Sequence, residues 1–313
     1  MLSVLTIVAP VFALIAIGFL AARLGYLSAP TAKAVSEFSF KLAMPALMFR
    51  TMATAEFPAV SPLGLWASFF GAIAMVWVAA ALITRSVLGR SAADGAAIAF
   101  SASYGNIVML GIPLGLSAFG PDAMGPMALL ISINSPLMWL VATLHMGLAV
   151  REAGLGAAEF CRALALELAT NPIILAIVLG LAWRATGVGF SALPDRVLAM
   201  LGQAGVPTAL IALGLTLAAF RIAGQGPTLA TIILLKGIAM PLLAWVLATR
   251  IMQLPPLSAA IVVLFAAMPT GANAFLFASR YGRAVNSTSG AIAIGTMLSV
   301  LTASLIVYAL GAG

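Results

Sequence analysis

Met268-Pro269-Thr270-Gly271-Ala272-Asn273 interrupts an apolar run at about 257–280, and Ser101-Ala102-Ser103-Tyr104-Gly105-Asn106, followed by Gly111-Ile112-Pro113, interrupts another at about 94–119. Without those residues each run would read as a bilayer-spanning helix, which takes about 20 mostly apolar residues. Proline removes a backbone N–H and clashes with the preceding turn. Glycine lets the chain leave helical geometry. A break frees N–H groups at the start of one half-helix and C=O groups at the end of the other, and in lipid such groups must face a polar cavity or protein. The N-terminal ends carry partial positive charge, about half an elementary charge. Two of them meeting at the membrane centre form an anion site without Lys or Arg, and no basic residue stands near the middle of either run. Asn106 and Asn273 supply neutral donors for a carboxylate and acceptors for a backbone N–H. With Ser103 and Thr270 they are the candidate substrate-binding residues of these two segments. Gly105, Gly111, Pro113, Pro269 and Gly271 are the residues that shape the breaks.

The rest of the chain places these segments in lipid. Of 313 residues, 63% are hydrophobic and 7% charged, against roughly 25% charged in soluble proteins. The apolar runs are continuous, such as 4–22 and 228–249, where a β-barrel needs short alternating segments. The expected fold is therefore an all-α polytopic membrane protein. Ten runs are legible, near 4–22, 32–52, 62–84, 94–119, 124–149, 168–185, 195–219, 228–250, 257–280 and 288–310. The N-terminus reads as a retained first helix, since it lacks a basic leader and a cleavage site.

Charge sets the expected orientation. Connections after odd-numbered runs hold nine basic residues, Arg23, Lys33, Arg85, Arg90, Arg151, Arg162, Arg221, Arg280 and Arg283. The other side holds four, Arg50, Arg184, Arg196 and Arg250. The excess assigns odd connections to the cytoplasm and both termini to the outside. A net charge of +7 would suggest nucleic acid in a soluble protein. Here the bases sit singly between apolar runs, and no nucleic-acid partner is expected.

The halves resemble each other. Pro10, Gly18 and Pro45 recur as Pro172, Gly180 and Pro207, each shifted by 162 residues. Five helices per half, an odd number, force the second half to insert upside down, as in many secondary transporters. The expected organisation is a first repeat at 1–150, a cytoplasmic linker at 151–167 and a second, inverted repeat at 168–313. The two broken helices take the same ordinal position in each, fourth and ninth of ten. Paired Gly/Pro-interrupted helices are the sequence pointer to a transporter binding site.

These residues, in this order, resemble the auxin efflux carrier family over nearly the whole chain. The resemblance is carried by Phe40-Lys41-Leu42-Ala43-Met44-Pro45-Ala46-Leu47, the stretch from Asn106 to Pro113, Asn171-Pro172, and Met268-Pro269-Thr270-Gly271-Ala272-Asn273-Ala274. It implies ten helices in two inverted five-helix repeats, a scaffold part and a mobile transport part, and crossing broken helices 4 and 9. It also implies a carrier of carboxylates, indole-acetate in plants and malate- or malonate-like acids in bacteria, resident in the bacterial inner membrane. Asn106 and Asn273 match the family's crossover asparagines, and Pro269 its helix 9 crossover proline. In the fourth run the proline, Pro113, follows Asn106, and Tyr104-Gly105 occupies the expected break. The short linker resembles bacterial members.

Other polar residues have two readings each. Asn134-Ser135-Pro136, mid-way along the fifth run, is a cavity lining or helix-packing glue. His145, the sole histidine, is a proton relay, with an unperturbed pKa of about 6.5, or an interfacial residue. Glu37 and Lys41, four apart and so on one helix face, are a coupling or gating pair or partners for desolvation. Lys236 contacts substrate or snorkels. Glu167 reads as interfacial and Cys161 as an unreactive thiol.

A single His argues against a His-ligated catalytic metal, and one His, one Cys and few acids make a membrane-embedded enzyme a poor fit. No cofactor is expected. The expected partners are a small organic anion, the bilayer, a proton, and a second copy in a homodimer. Alternatives to an alternating-access carrier are a sodium-coupled symporter of the bile-acid type, a channel and a non-transporting sensor.

Overall fold

The computed structural model describes residues 2–54, 62–150, 162, 166, 169–220 and 226–309. Most of the 151–167 linker, with Cys161, Arg151 and Glu167, lies outside the described residues, as does Arg221. Among the described residues all regular structure is helical, with one isolated antiparallel bridge.

The helices are α1 (Leu2–Arg23), α2 (Ala29–Phe38), α3 (Met44–Thr54), α4 (Pro62–Ser86), α5 (Ala92–Ser103), α6 (Ile112–Phe119) and α7 (Met124–Val150). The second half contributes α8 (Pro172–Ala185), α9 (Ala192–Leu217), α10 (Gly226–Leu234), α11 (Met240–Val246), α12 (Pro256–Ala267), α13 (Ala272–Tyr281) and α14 (Val285–Ala309). Among the described residues five helical stretches are long and apolar enough to cross a membrane: 62–86, 121–149, 192–217, 226–251 and 285–309. Many of their apolar side chains, such as Leu82, Val78, Leu148 and Leu305, point outward, as lipid-facing positions do.

Among the described residues four helix boundaries are wide π turns, and three of these precede a proline. Ser39–Ala43 joins α2 to α3, Ile107–Gly111 leads into α6, and Leu235–Ala239 joins α10 to α11. Each ends two residues before a proline, Pro45, Pro113 or Pro241. A proline ring clashes with the carbonyl four residues earlier and leaves it without a donor. Widening the turn that contains that carbonyl relieves the clash while the helix continues. Gly111 and Pro113 therefore belong to this accommodation, beyond the break in the fourth run. That break lies earlier, at Tyr104–Asn106.

The helices pack in two groups. In one, α1 lies along α9, and α3 lies along both α8 and α9. Bilayer helices gain little from hydrophobic exclusion against each other, so close backbone approach at small residues matters. A methyl group on Gly18 would collide with the Ile211 carbonyl, and one on Gly180 would come within 2.6 Å of the Phe49 carbonyl. Adding 162 to Gly18 and Phe49 gives Gly180 and Ile211, so each contact is the other with its partners exchanged. Arg50 binds Asp195 through two hydrogen bonds, 2.8 and 3.0 Å, tying α3 to the start of α9. The second group gathers α4, α5, α7 and α10 to α14 around a buried core including Phe100, Phe265 and Phe277.

Candidate functional site

The two interrupted runs cross inside the second group. α5 stops at Ser103, and Tyr104 turns extended at φ −79°, ψ 110°. α12 stops at Ala267, with Met268 at φ −60°, ψ 136°. The released segments pair antiparallel at Gly105 and Thr270. Asn106 N–H donates to the Pro269 carbonyl at 2.8 Å, and Gly271 N–H donates to the Tyr104 carbonyl at 3.0 Å. Each break thus supplies partners for groups the other has freed, as a buried backbone requires. The Thr270 hydroxyl donates to the Ser101 carbonyl at 2.9 Å and pins the crossing from one side.

A chamber of about 340 Å³ opens in front of the crossing. Both new half-helix starts line it, at Gly105–Met109 and Gly271–Asn273, together with Asn134 and Ser135 of α7 and Phe40. The start of α8, Asn171–Ile174, closes another side. Among the described residues no Lys, Arg, Asp or Glu lines it. Its polar groups are linked: the Asn273 carboxamide donates to the Tyr104 hydroxyl at 2.7 Å and to Ser135 Oγ at 3.2 Å, and those two hydroxyls are 2.8 Å apart.

The three helix starts are finished differently. Asn106 Oδ1 accepts from Met109 N–H at 3.2 Å, and Asn171 Oδ1 accepts from the Ile173 and Ile174 N–H groups at 3.0 and 3.3 Å. These are side-chain N-caps. At α13 the capping position is Gly271, and no side chain caps the first turn. A helix start leaves its first four N–H groups without intrahelical partners, and Ala272 and Asn273, in that turn, line the chamber.

Of the expected substrate-binding residues, Asn106, Asn273 and Asn134 come together on the chamber wall. Thr270 sits at the crossing, and Ser103 is buried in α5 with its hydroxyl unpartnered; neither lines the chamber. Gly105 and Gly271 line it, while Pro269 supports it through its carbonyl. Glu37 and Lys41 form an ion pair at 3.6 Å with both side chains largely exposed. His145 Nδ1 accepts from Trp77 Nε1 at 3.1 Å, inside the α4–α7 packing. None of these three touches the chamber.

Sequence reasoning misses two residues and leaves two open. Tyr104 reads only as part of a break, while Ser135, with Asn134, reads as a cavity lining or as packing glue. Asn171 was legible as a cap, since a proline follows it at the first helical position, but not as a chamber wall. Lys236 proves buried at 2% exposure, with Nζ donating to the Ala266 carbonyl at 2.9 Å and lying 3.0 Å from Met240 Sδ, directly behind the crossing.

Crossed half-helices around a polar chamber are transporter architecture, and the sequence comparison agrees. A family model described as membrane transport protein matches residues 3–307. The chain belongs to this family, the auxin efflux carriers. A Rhizobium meliloti (strain 1021) protein named "Putative malonate transporter" is 28% identical over 315 residues, which is 100% of this chain and 98% of that protein. Family and relative alike are transporters, not enzymes. The molecule is thus a multi-pass membrane transporter, and the chamber is its candidate binding site.

Proposed function

We propose that this transporter is a carrier for small organic anions, mono- or dicarboxylates of the malonate or malate class, working by alternating access. The carboxylate binds in the chamber in front of the crossing. The observation that carries this reading is the uncapped first turn of α13, turned into a chamber with neutral donors and no acid. Partial positive charge at a helix start attracts an anion, and free N–H groups satisfy its oxygens with no basic side chain among the described residues of the chamber itself. Asn273, Asn106 and Asn134 orient the anion; Ser135 and Tyr104 hold Asn273 in place. The relative's printed name supports the substrate class.

The ten helical runs then form two inverted repeats, 1–150 and 168–313, joined by the 151–167 linker. The exchanged Gly18–Ile211 and Gly180–Phe49 contacts support that pseudo-symmetry. The group containing α1 to α3, α8 and α9 serves as scaffold, and the group carrying the crossing moves against it. The basic-residue excess supports an inner-membrane orientation with both termini outside. Coupling is to a proton or to the membrane potential, which is worth roughly 2.3 kcal/mol per 100 mV to an exported monoanion.

Counterflow in proteoliposomes tests this. Vesicles loaded with unlabelled malonate should take up labelled malonate faster than empty ones, and other short carboxylates should compete. A channel shows no exchange stimulation and a sensor moves nothing. Failure of every carboxylate in a mono- and dicarboxylate panel to stimulate exchange overturns the reading.

A further inference from the structure

Lys236 places its amine in the protein interior, and no carboxylate lies within ion-pair distance of it among the described residues. An unpaired buried charge is strongly unfavourable unless other groups compensate it. Two features do so here. Nζ donates to the carbonyl of Ala266, in the last turn of α12, where the half-helix carries its partial negative charge. Met240 Sδ provides a second, weaker acceptor at 3.0 Å.

The rest of the surroundings are shaped to admit the ammonium. A Cβ on Gly105 would stand 3.0 Å from Nζ and 3.4 Å from Cε, so any larger residue there presses on the amine. Lys236 lies in the π turn Leu235–Ala239, on the buried stripe that also carries Thr228, Ile232, Met240 and Ala244. Beside it lies an apolar cavity of about 240 Å³ that Lys236 and Thr270 help to line. The C-terminal carbonyls of broken half-helices are where carriers coordinate a dissociable Na⁺ or H⁺. In this chain that place is filled by a side chain.

We propose that the Lys236 ammonium is a tethered cation behind the crossing, taking the place of a dissociable coupling cation, so that the anion in front is bound and carried without soluble sodium. The anion part of this statement rests on the carboxylate reading above; the cation site does not. With Gly105 lining the chamber on one side and standing against Nζ on the other, the ammonium and a bound carboxylate balance each other across the crossing. Loading then neutralises a charge that the empty protein holds only with dipoles.

The test uses full-length wild type, Lys236→Met and Lys236→Ala, each with two readouts: thermal unfolding, and malonate counterflow in sodium or choline medium. Wild type should exchange malonate equally in both media. Lys236→Met keeps the length and drops the charge, so it should unfold at or above the wild-type temperature, yet malonate should no longer stabilise it and counterflow should fall by about tenfold or more. Lys236→Ala should lose exchange to a similar extent and regain it when methylammonium, but not choline, is added. Rescue by a small cation is a result that mere packing cannot give.

Sodium-dependent exchange by wild type, undiminished exchange by Lys236→Met, or a Lys236→Ala protein that methylammonium leaves unchanged in both readouts would each overturn the proposal. A wild type inert to malonate sinks the carboxylate reading instead. The cation site is then decided by unfolding alone: methylammonium raises the unfolding temperature of Lys236→Ala if the site exists and leaves it unmoved if it does not.

Discussion

The break in the fourth run and the break in the ninth lie against each other and exchange hydrogen bonds, yet they end in opposite ways. The fourth-run half-helix is closed by its own side chain, Asn106, whose Oδ1 takes up the Met109 amide. The ninth-run half-helix begins at Gly271 with no side chain to cap it. Its asparagine stands two residues further on and turns to Tyr104 and Ser135. Similar residues at the same ordinal position thus serve different ends. One break completes the structure, and the other leaves donors open for a ligand.

The largest expected effect comes from destroying the crossing on which both breaks depend. In Gly105→Val the new side chain meets Lys236 Nζ at 3.0 Å and the Met268 carbonyl at 3.3 Å. Displacing a binding constellation by an ångström can lower turnover about a hundredfold, so counterflow per reconstituted protein should approach background. Near-normal exchange would separate the crossing from the transport site.

Next comes Asn106→Asp. Aspartate caps as well as asparagine, so the unfolding temperature should stay near wild type. The added negative charge beside the anion should raise KM by about tenfold or more. A variant with unchanged KM would make Asn106 a cap and nothing else.

Asn273→Ala removes a donor from the open break without touching a cap. Deleting one such hydrogen-bonding group should reduce malonate exchange by about five- to thirtyfold, while size-exclusion profile and membrane insertion match wild type. Equal exchange would shift the substrate away from α13.

The smallest effect is expected far from both breaks. Glu37→Gln disrupts an ion pair at 3.6 Å between largely exposed side chains. Such pairs contribute little, so counterflow should stay within about twofold of wild type. A much larger change would restore the gating role that the spacing of Glu37 and Lys41 suggests.

Much of the fold and part of the site were legible in the residues. The apolar runs give the helices to within a few positions, because a helix in lipid satisfies its own backbone and its sequence signature is local. Gly105, Gly271 and Pro269 announce the interruptions by the same local logic. Pro113 misleads, since a proline marks where strain arises while the chain relieves it in the preceding π turn. The depth of Lys236 is hidden because a long apolar stem lets the same residue snorkel or turn inward, and only the neighbours decide which.

By itself, then, the sequence determined that the chain is helical, that it belongs in a bilayer, and that two of its helices must come apart near their middles. Those are consequences of composition and of backbone chemistry within a few residues. Tertiary structure alone decided which freed groups satisfy each other and which stay open. Thr270 reaches Ser101 and Asn273 reaches Tyr104 across 169 residues of chain, and Lys236 finds the end of α12 across 30. Hydrogen-bond partners so far apart leave no periodicity to read, because their pairing is fixed by how the helices pack and not by any neighbour in sequence.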